Sequence, residues 1–172
     1  MSVPFQRIST ATVQDIIIYD PAAERRAASL AVNWDTYFNI GSQEILYNME
    51  WGWWPKYVEN TWGAWYFTTN TAGQVISAFN PSLLVKTDQT LIRLDVFKAV
   101  EQFYCSLVTD VSNVNEVDKT NWQFSKQRYD DEWEKALQLS NFYDLYDDDF
   151  ISKLEENYQA DVNYFNGDRR YF

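Results

Sequence analysis

The sequence predicts a mainly α-helical fold, a small helical bundle with a β-hairpin insertion and an extended C-terminal arm. Two long segments, one before and one after residue 110, carry apolar side chains at helical spacing. Near residues 62–79, two short runs rich in aromatic and β-branched residues flank a glycine-containing turn, which favours a hairpin. We therefore expect a single helical domain over residues 1–156 and an arm over residues 157–172.

The N-terminal third is predicted to hold one strand and one interrupted helix. Val13–Tyr19 is rich in β-branched residues and is predicted to be a strand. Asp20 and Pro21 then provide an N-cap and a proline at the first helical position. The apolar side chains that follow recur at steps of three and four residues. This spacing predicts a helix that is interrupted, or starts again, near Gly41 and Ser42.

A tryptophan-rich segment follows, with five tryptophans between Trp51 and Trp65. Glycines and a proline interrupt it, so we expect a folded loop that leads into a strand. That strand opens the predicted hairpin, in which Gly73 suits a turn with positive φ. Aromatic side chains are enriched at protein interfaces, so these tryptophans are candidate contact residues.

Two helices are predicted in the second half of the chain. The first begins at an N-cap near Asp88 and extends to about Thr109, and the second covers about residues 121–143. Cys105 lies within the apolar stripe of the first helix and is expected to be buried as a small hydrophobic residue. The stripe consists of seven residues: Val96, Phe97, Val100, Phe103, Tyr104, Leu107 and Val108.

Composition argues against catalysis and against general nucleic-acid binding. The chain has 14 Lys and Arg against 25 Asp and Glu, a net charge of −11, whereas phosphate contacts need basic residues. It has no histidine, which excludes Ser-His-Asp triads and histidine metal sites, and no phosphate-binding glycine motif. We expect no enzymatic activity and no membrane association. A single cysteine and an N-terminus without a signal-peptide pattern favour synthesis in a cytoplasm.

The acidic segment DLYDDDFISKLE resembles an EF-hand calcium loop. Asp144, Asp148 and Glu155 stand at the first, fifth and twelfth loop positions, which normally supply calcium ligands. Two positions depart from the pattern. Tyr146 stands where an oxygen ligand is expected, and Asp149 stands where the loop needs glycine. The segment is therefore interpreted either as a calcium site formed by these three carboxylates or as an acidic turn between two helices.

Two predicted helices and a terminal segment follow one another in the second half of the chain. They are LIRLDVFKAVEQFYCSLV (Leu91–Val108), RYDDEWEKALQLSNFY (Arg128–Tyr143) and the terminal NYFNGDRRYF. This order resembles the small head-to-tail connector proteins, also called adaptor or neck proteins, of tailed bacteriophages. The resemblance implies a mainly helical fold with a hairpin or extended insertion and a C-terminal arm. It also implies a ring beneath the portal and no catalytic residues. An acidic ring lumen would let DNA pass without sequence-specific binding.

We therefore expect a structural virion protein of the phage neck, made in the host cytoplasm. It would form a homo-oligomeric ring between portal and tail and contact the portal and other neck or tail proteins. A calcium-binding module, a carbohydrate-binding protein that uses the tryptophan-rich segment, and an acidic DNA mimic are the alternatives. The candidate interface residues are Trp51, Trp53, Trp54, Trp62, Trp65, Tyr164, Phe165, Arg169, Arg170, Tyr171 and Phe172.

Overall fold

The computed structural model describes four parts of the chain: residues 6–55, 79–109, 115–139 and 142–143. Within these parts the fold is mainly helical, as predicted, and contains no strand. An isolated antiparallel bridge joins Leu84 to Tyr143. The body of the predicted hairpin and the predicted C-terminal arm lie outside the described residues.

Five α-helices are present in the described parts, and the last two pack against each other. Helix α4 is central, because it packs against α1, α3 and α5. A π-helical turn, Met49–Trp53, continues α3, and a 3₁₀ turn, Pro81–Leu83, precedes α4. The helices are α1 (Val13–Tyr19), α2 (Pro21–Ser29), α3 (Trp34–Asn48), α4 (Gln89–Thr109) and α5 (Glu116–Leu139).

The segment Val13–Tyr19, for which the sequence predicts a strand, is helix α1. The carboxylate of Asp15 closes its first turn by accepting a hydrogen bond from the backbone N–H of Thr12 at 2.8 Å. Only Ile16 among its residues is buried. The strand prediction is wrong because β-propensity reflects packing within a sheet, and here a local cap stabilises the helix instead.

The helix predicted to follow Asp20 is two helices. Asp20 caps α2 as predicted, since its carboxylate accepts a hydrogen bond from the Ala23 N–H at 3.0 Å. Helix α3 has its own N-cap at Asn33, whose side-chain oxygen accepts a hydrogen bond from the Asp35 N–H at 3.0 Å. The break therefore lies before α3, upstream of the predicted interruption.

The end of α2 depends on a left-handed residue, Ala31, with a φ of 52°. This conformation lets the N–H of Val32 bond to the carbonyl of Ala27 at 3.1 Å, the pattern of a Schellman cap. Glycine is usual at this position, because a Cβ makes left-handed backbone costly. An alanine here gives no sign of a helix end in the sequence.

Helix α3 continues through Gly41 and Ser42, so the predicted interruption there is wrong. Gly41 lies against α4: a Cβ built on it would be 3.2 Å from Cγ of Lys98 and 3.4 Å from the backbone nitrogen of Ala99. Glycine at this position allows two helices to approach closely and does not end the helix.

Helix α4 confirms the predicted helix and its N-cap. The Asp88 carboxylate accepts a hydrogen bond from the Thr90 N–H at 2.8 Å, and the helix ends at Thr109. Of the seven residues of the predicted stripe, the first five are buried and the last two are partly buried. Cys105 is only partly buried, which departs from the expectation for a core residue.

Helix α5 begins at Glu116, earlier than predicted. The side chain of Asn115 caps it by accepting a hydrogen bond from the Val117 N–H at 3.0 Å. Glu116 and Asp118 lie in the first turn, where negative charge interacts favourably with the helix dipole. The described helix ends at Leu139, short of the predicted end.

Replacing Ala31 with glycine is expected to raise the free energy of unfolding by about 1 kcal/mol, because glycine adopts left-handed backbone without steric cost. The matched control is Ala28→Gly, at an exposed helical position in the same turn. It should lower the free energy of unfolding by about 1 kcal/mol. Urea unfolding followed by circular dichroism measures both. Equal destabilisation by the two substitutions would contradict the left-handed cap.

Candidate interaction surface

Three large apolar side chains project from α3 and its π-helical extension: Ile40, Tyr47 and Trp51. Tyr47 and Trp51 are 63% and 67% exposed, and their ring centroids lie 6.3 Å apart. Residues spaced by seven and by four positions lie on the same side of a helix. We call these three residues, two of which are aromatic, the aromatic stripe.

Two neighbouring tryptophans, Trp53 and Trp54, are buried instead. The ring centroid of Trp53 lies 5.3 Å from that of Phe142, and the centroid of Trp54 lies 5.2 Å from that of Tyr143. Phe79 completes this cluster by stacking on Tyr143 at 5.8 Å. Trp53 and Trp54, which the sequence places among the candidate interface residues, are therefore core residues of the single chain. Their burial fixes the end of α3.

A cleft of about 420 Å³ opens beside the aromatic stripe. Tyr47 belongs to both the stripe and the cleft, and Phe79 connects the cleft to the buried aromatic cluster. A cleft of this size accommodates a large side chain or a small ligand. Its lining residues are Gln43, Leu46, Tyr47, Glu50, Phe79 and Pro81.

Glu50 is the charged residue among those that line the cleft. Residues 27–55 contain Asp35, Glu44 and Glu50 but no Lys or Arg. The Glu44 carboxylate is already engaged, since it contacts Nζ of Lys98 at 2.6 Å and accepts a hydrogen bond from Gln102 at 2.8 Å. Glu50 forms no ion pair with any of the described residues.

Beneath this surface a buried carboxylate, Asp95 of α4, holds α3 in place. Asp95 has no solvent exposure. Ser42 of α3 donates a hydrogen bond to its Oδ1 at 2.9 Å, while Ser9 and Arg7 donate to its Oδ2 at 2.7 and 3.0 Å. The Arg7 guanidinium also lies 4.3 Å from the centroid of the Phe38 ring. These contacts tie the N-terminal segment, α3 and α4 together.

Burial raises the pKa of Asp95 above its usual value of 3.8. Hydrogen bonds from Ser9, Arg7 and Ser42 and the positive charge of Arg7 act in the opposite direction, but desolvation is the larger effect. The folded protein therefore takes up a proton at Asp95 more readily than the unfolded chain does.

A second buried charge, Lys98 of α4, links three helices. Its Nζ lies 2.8 Å from the Glu101 carboxylate, 2.6 Å from that of Glu44 on α3, and 4.5 Å from the ring centroid of Tyr129 on α5. Burial raises the pKa of the Tyr129 hydroxyl. Two carboxylates and the Tyr129 ring therefore hold the Lys98 ammonium between α3, α4 and α5.

Three further ion pairs fasten α5 to the rest of the bundle. Each is partly exposed, so each contributes modestly to stability by itself. The Arg128 guanidinium also lies 4.4 Å from the Phe97 ring centroid on α4. The pairs are Arg93–Glu132 at 2.6 Å, Arg128–Asp20 at 2.9 Å and Arg26–Asp118 at 2.9 Å.

The other sequence-predicted site residues lie outside the described residues. They include the proposed calcium ligands Asp144, Asp148 and Glu155. Among the residues that are described, no group of three or more His, Cys, Asp or Glu could hold a metal ion. None of the described helices is long and apolar enough to cross a membrane. The remaining candidates outside the described residues are Trp62, Trp65, Tyr164, Phe165, Arg169, Arg170, Tyr171 and Phe172.

Ile40 and Tyr47 are exposed residues that were not predicted from the sequence. The available signal was the spacing of Ile40, Tyr47 and Trp51, which places all three on one side of a continuous helix. It was hidden because an interruption was expected within α3. Phe124 on α5 is another aromatic residue that is 67% exposed.

Comparison of the chain with protein-family models, with curated proteins and with solved structures finds no match in any of the three.

Asp95→Ala is expected to lower the free energy of unfolding by about 3–5 kcal/mol, because Arg7 and two serine hydroxyls lose their shared acceptor. The matched variant Asp95→Asn keeps an acceptor and removes a buried negative charge, so it should cost about 1 kcal/mol. Urea unfolding at neutral pH measures both. Losses of about 1 kcal/mol or less in both variants would show that the hydrogen bonds to Asp95 contribute little.

Asp95 should also make stability depend on pH. Since its pKa is raised on folding, its protonation stabilises the fold fully below the unfolded-state value of 3.8. This contribution is lost as the pH rises through the folded-state pKa. The free energy of unfolding of the wild type should therefore fall relative to Asp95→Asn as the pH is raised from 3.8. A wild type that gains stability relative to Asp95→Asn over this range would contradict the raised pKa.

Proposed function

We propose that this chain is a structural protein that acts by binding other proteins, as a subunit of the ring between portal and tail in a tailed bacteriophage. The aromatic stripe is the observation that carries the proposal. Tyr and Trp are enriched at binding hot spots because they bury a large area with few rotatable bonds. Tyr47 and Trp51 lie side by side and are mostly exposed in the single chain.

The helix that bears the stripe is held rigidly, which favours binding. Gly41, Ser42 and Glu44 all contact α4 through close packing, a hydrogen bond or an ion pair. At its far end, Trp53 packs into the buried aromatic cluster. A preorganised surface loses less conformational entropy when it binds a partner, so more of the contact energy stabilises the complex.

The acidity of the chain supports a ring through which DNA passes. A net charge of −11 disfavours adhesion of phosphate groups to the protein. The proposal places the chain in the virion after synthesis in the host cytoplasm. Its partners would be further copies of itself, the portal, and other neck or tail proteins.

The carbohydrate-binding alternative is less well supported than protein binding. With Trp53 and Trp54 in the core, it depends on Trp51 together with Trp62 and Trp65, which lie outside the described residues. Protein binding needs only the stripe. The calcium-binding alternative remains a hypothesis about residues outside the described parts.

Trp51→Ala is expected to weaken self-association of the full chain by at least about 2 kcal/mol, about thirtyfold in Kd, because it removes a hot-spot side chain. Phe124→Ala is the matched control. It removes an aromatic side chain of the same 67% exposure from α5 and should leave association unchanged. Sedimentation velocity over a range of concentrations measures both. Neither side chain is buried, so both variants should unfold at a urea concentration close to that of the wild type.

Two results would contradict the proposal at different levels. A wild-type chain that stays monomeric and does not bind portal protein would overturn the neck role. Equal effects of Trp51→Ala and Phe124→Ala would exclude the aromatic stripe as the contact surface. A tryptophan fluorescence response to oligosaccharides that is lost in Trp51→Ala would favour the carbohydrate alternative.

A further inference from the structure

The cleft beside the aromatic stripe combines an aromatic ring, a carboxylate and an amide. Gln43, Tyr47 and Glu50 line it, and they lie on successive turns of α3 and its π-helical extension. A guanidinium group can stack on an aromatic ring and bond to a carboxylate at the same time. The cleft therefore suits an arginine side chain, with Leu46 and Phe79 providing apolar surface for its neighbours.

The described parts of the chain supply no cation for this cleft. Residues 27–55 contain no Lys or Arg, so none lies nearby on the same helix. The described ion pairs engage six carboxylates, and Glu50 is not among them. The engaged carboxylates are Asp20, Glu44, Asp95, Glu101, Asp118 and Glu132.

We propose that the cleft binds the segment Tyr164–Phe172 of a second copy of this chain, with Arg169 and Arg170 directed at Tyr47 and Glu50. The segment, YFNGDRRYF, has two adjacent arginines and aromatic residues on both sides of them. Its arginines complement the carboxylate, and its aromatic rings complement the exposed rings of the stripe. This inference rests on the proposed function, because it names the surface at which the copies meet.

A second copy is the occupant that fits the proposed ring. When one surface of each copy binds a different surface of the next, the contact is heterologous, and such contacts form a ring where the rotation between copies closes. The chain is also long enough. From Tyr143 to Arg169 it can span at most about 90 Å when fully extended, whereas a globular domain of this size is about 40 Å across.

Charge reversal tests this contact in the full chain. Sedimentation velocity would compare the wild type with Arg169→Glu/Arg170→Glu, with Glu50→Arg, and with all three changes combined. Each partial reversal should weaken association at least about tenfold, because like charges then face each other, and the combined variant should regain most of the loss. Arg25→Glu/Lys126→Glu is the matched control, because it makes the same change in net charge at two other exposed positions. It should leave association unchanged.

The outcomes separate this inference from the proposed function. Association that is unchanged in Arg169→Glu/Arg170→Glu, or a combined variant without recovery, overturns the cleft contact and leaves the neck role in place. A wild-type chain that is monomeric at all concentrations overturns the contact with a second copy. The neck role is then decided separately, by whether the wild-type chain binds portal protein. If that monomer changes its tryptophan fluorescence when Arg169 and Arg170 are reversed, the segment binds the cleft of its own chain, which also overturns the inference.

Discussion

The carboxylate of Asp95 has no solvent contact, and three hydrogen-bond donors from two other segments converge on it. Moving such a group out of water costs several kcal/mol, so it is tolerated only where the surroundings supply donors. Arg7 and Ser9 come from the N-terminal segment, and Ser42 comes from α3. If either segment moved away from α4, the Asp95 carboxylate would lose hydrogen-bond donors while it remained buried. The position of α3, and of everything it carries, therefore depends on this cluster.

The two faces of helix α3 differ in what they contact. Its inner face contacts α4 through Ser42, and one helical turn earlier the ring of Phe38 lies against the Arg7 guanidinium of the N-terminal segment. Its outer face carries the aromatic stripe. The π-helical turn and the burial of Trp53 anchor the end of the helix, so that Trp51 stays exposed only two residues away from a core position. The contacts of the inner face therefore preorganise the exposed outer face, which is the surface proposed for binding.

The sequence predicted features that depend on local signals and missed those that depend on tertiary contacts. Helix α4 was predictable because Asp88 caps it and its apolar residues recur at helical spacing. The β-branched run Val13–Tyr19 was misassigned, since that composition fits a strand and a short capped helix equally. The end of α2 was hidden because Ala31 stands where glycine is usual. The Asp95 cluster could not be predicted, because Arg7 and its other donors are distant in sequence and meet only in the fold.

Trp51 is proposed to lie in a contact between molecules. Hydroxyl-radical footprinting of the full chain at increasing protein concentration detects this contact, because the oxidation rate of a given side chain falls when its solvent exposure falls. Phe124 has the same exposure in the single chain and provides an internal reference. Trp51 is expected to become protected as molecules associate, while the oxidation rate of Phe124 should stay unchanged. If the oxidation rate of Trp51 relative to that of Phe124 does not fall as the protein assembles, Trp51 does not lie in the contact.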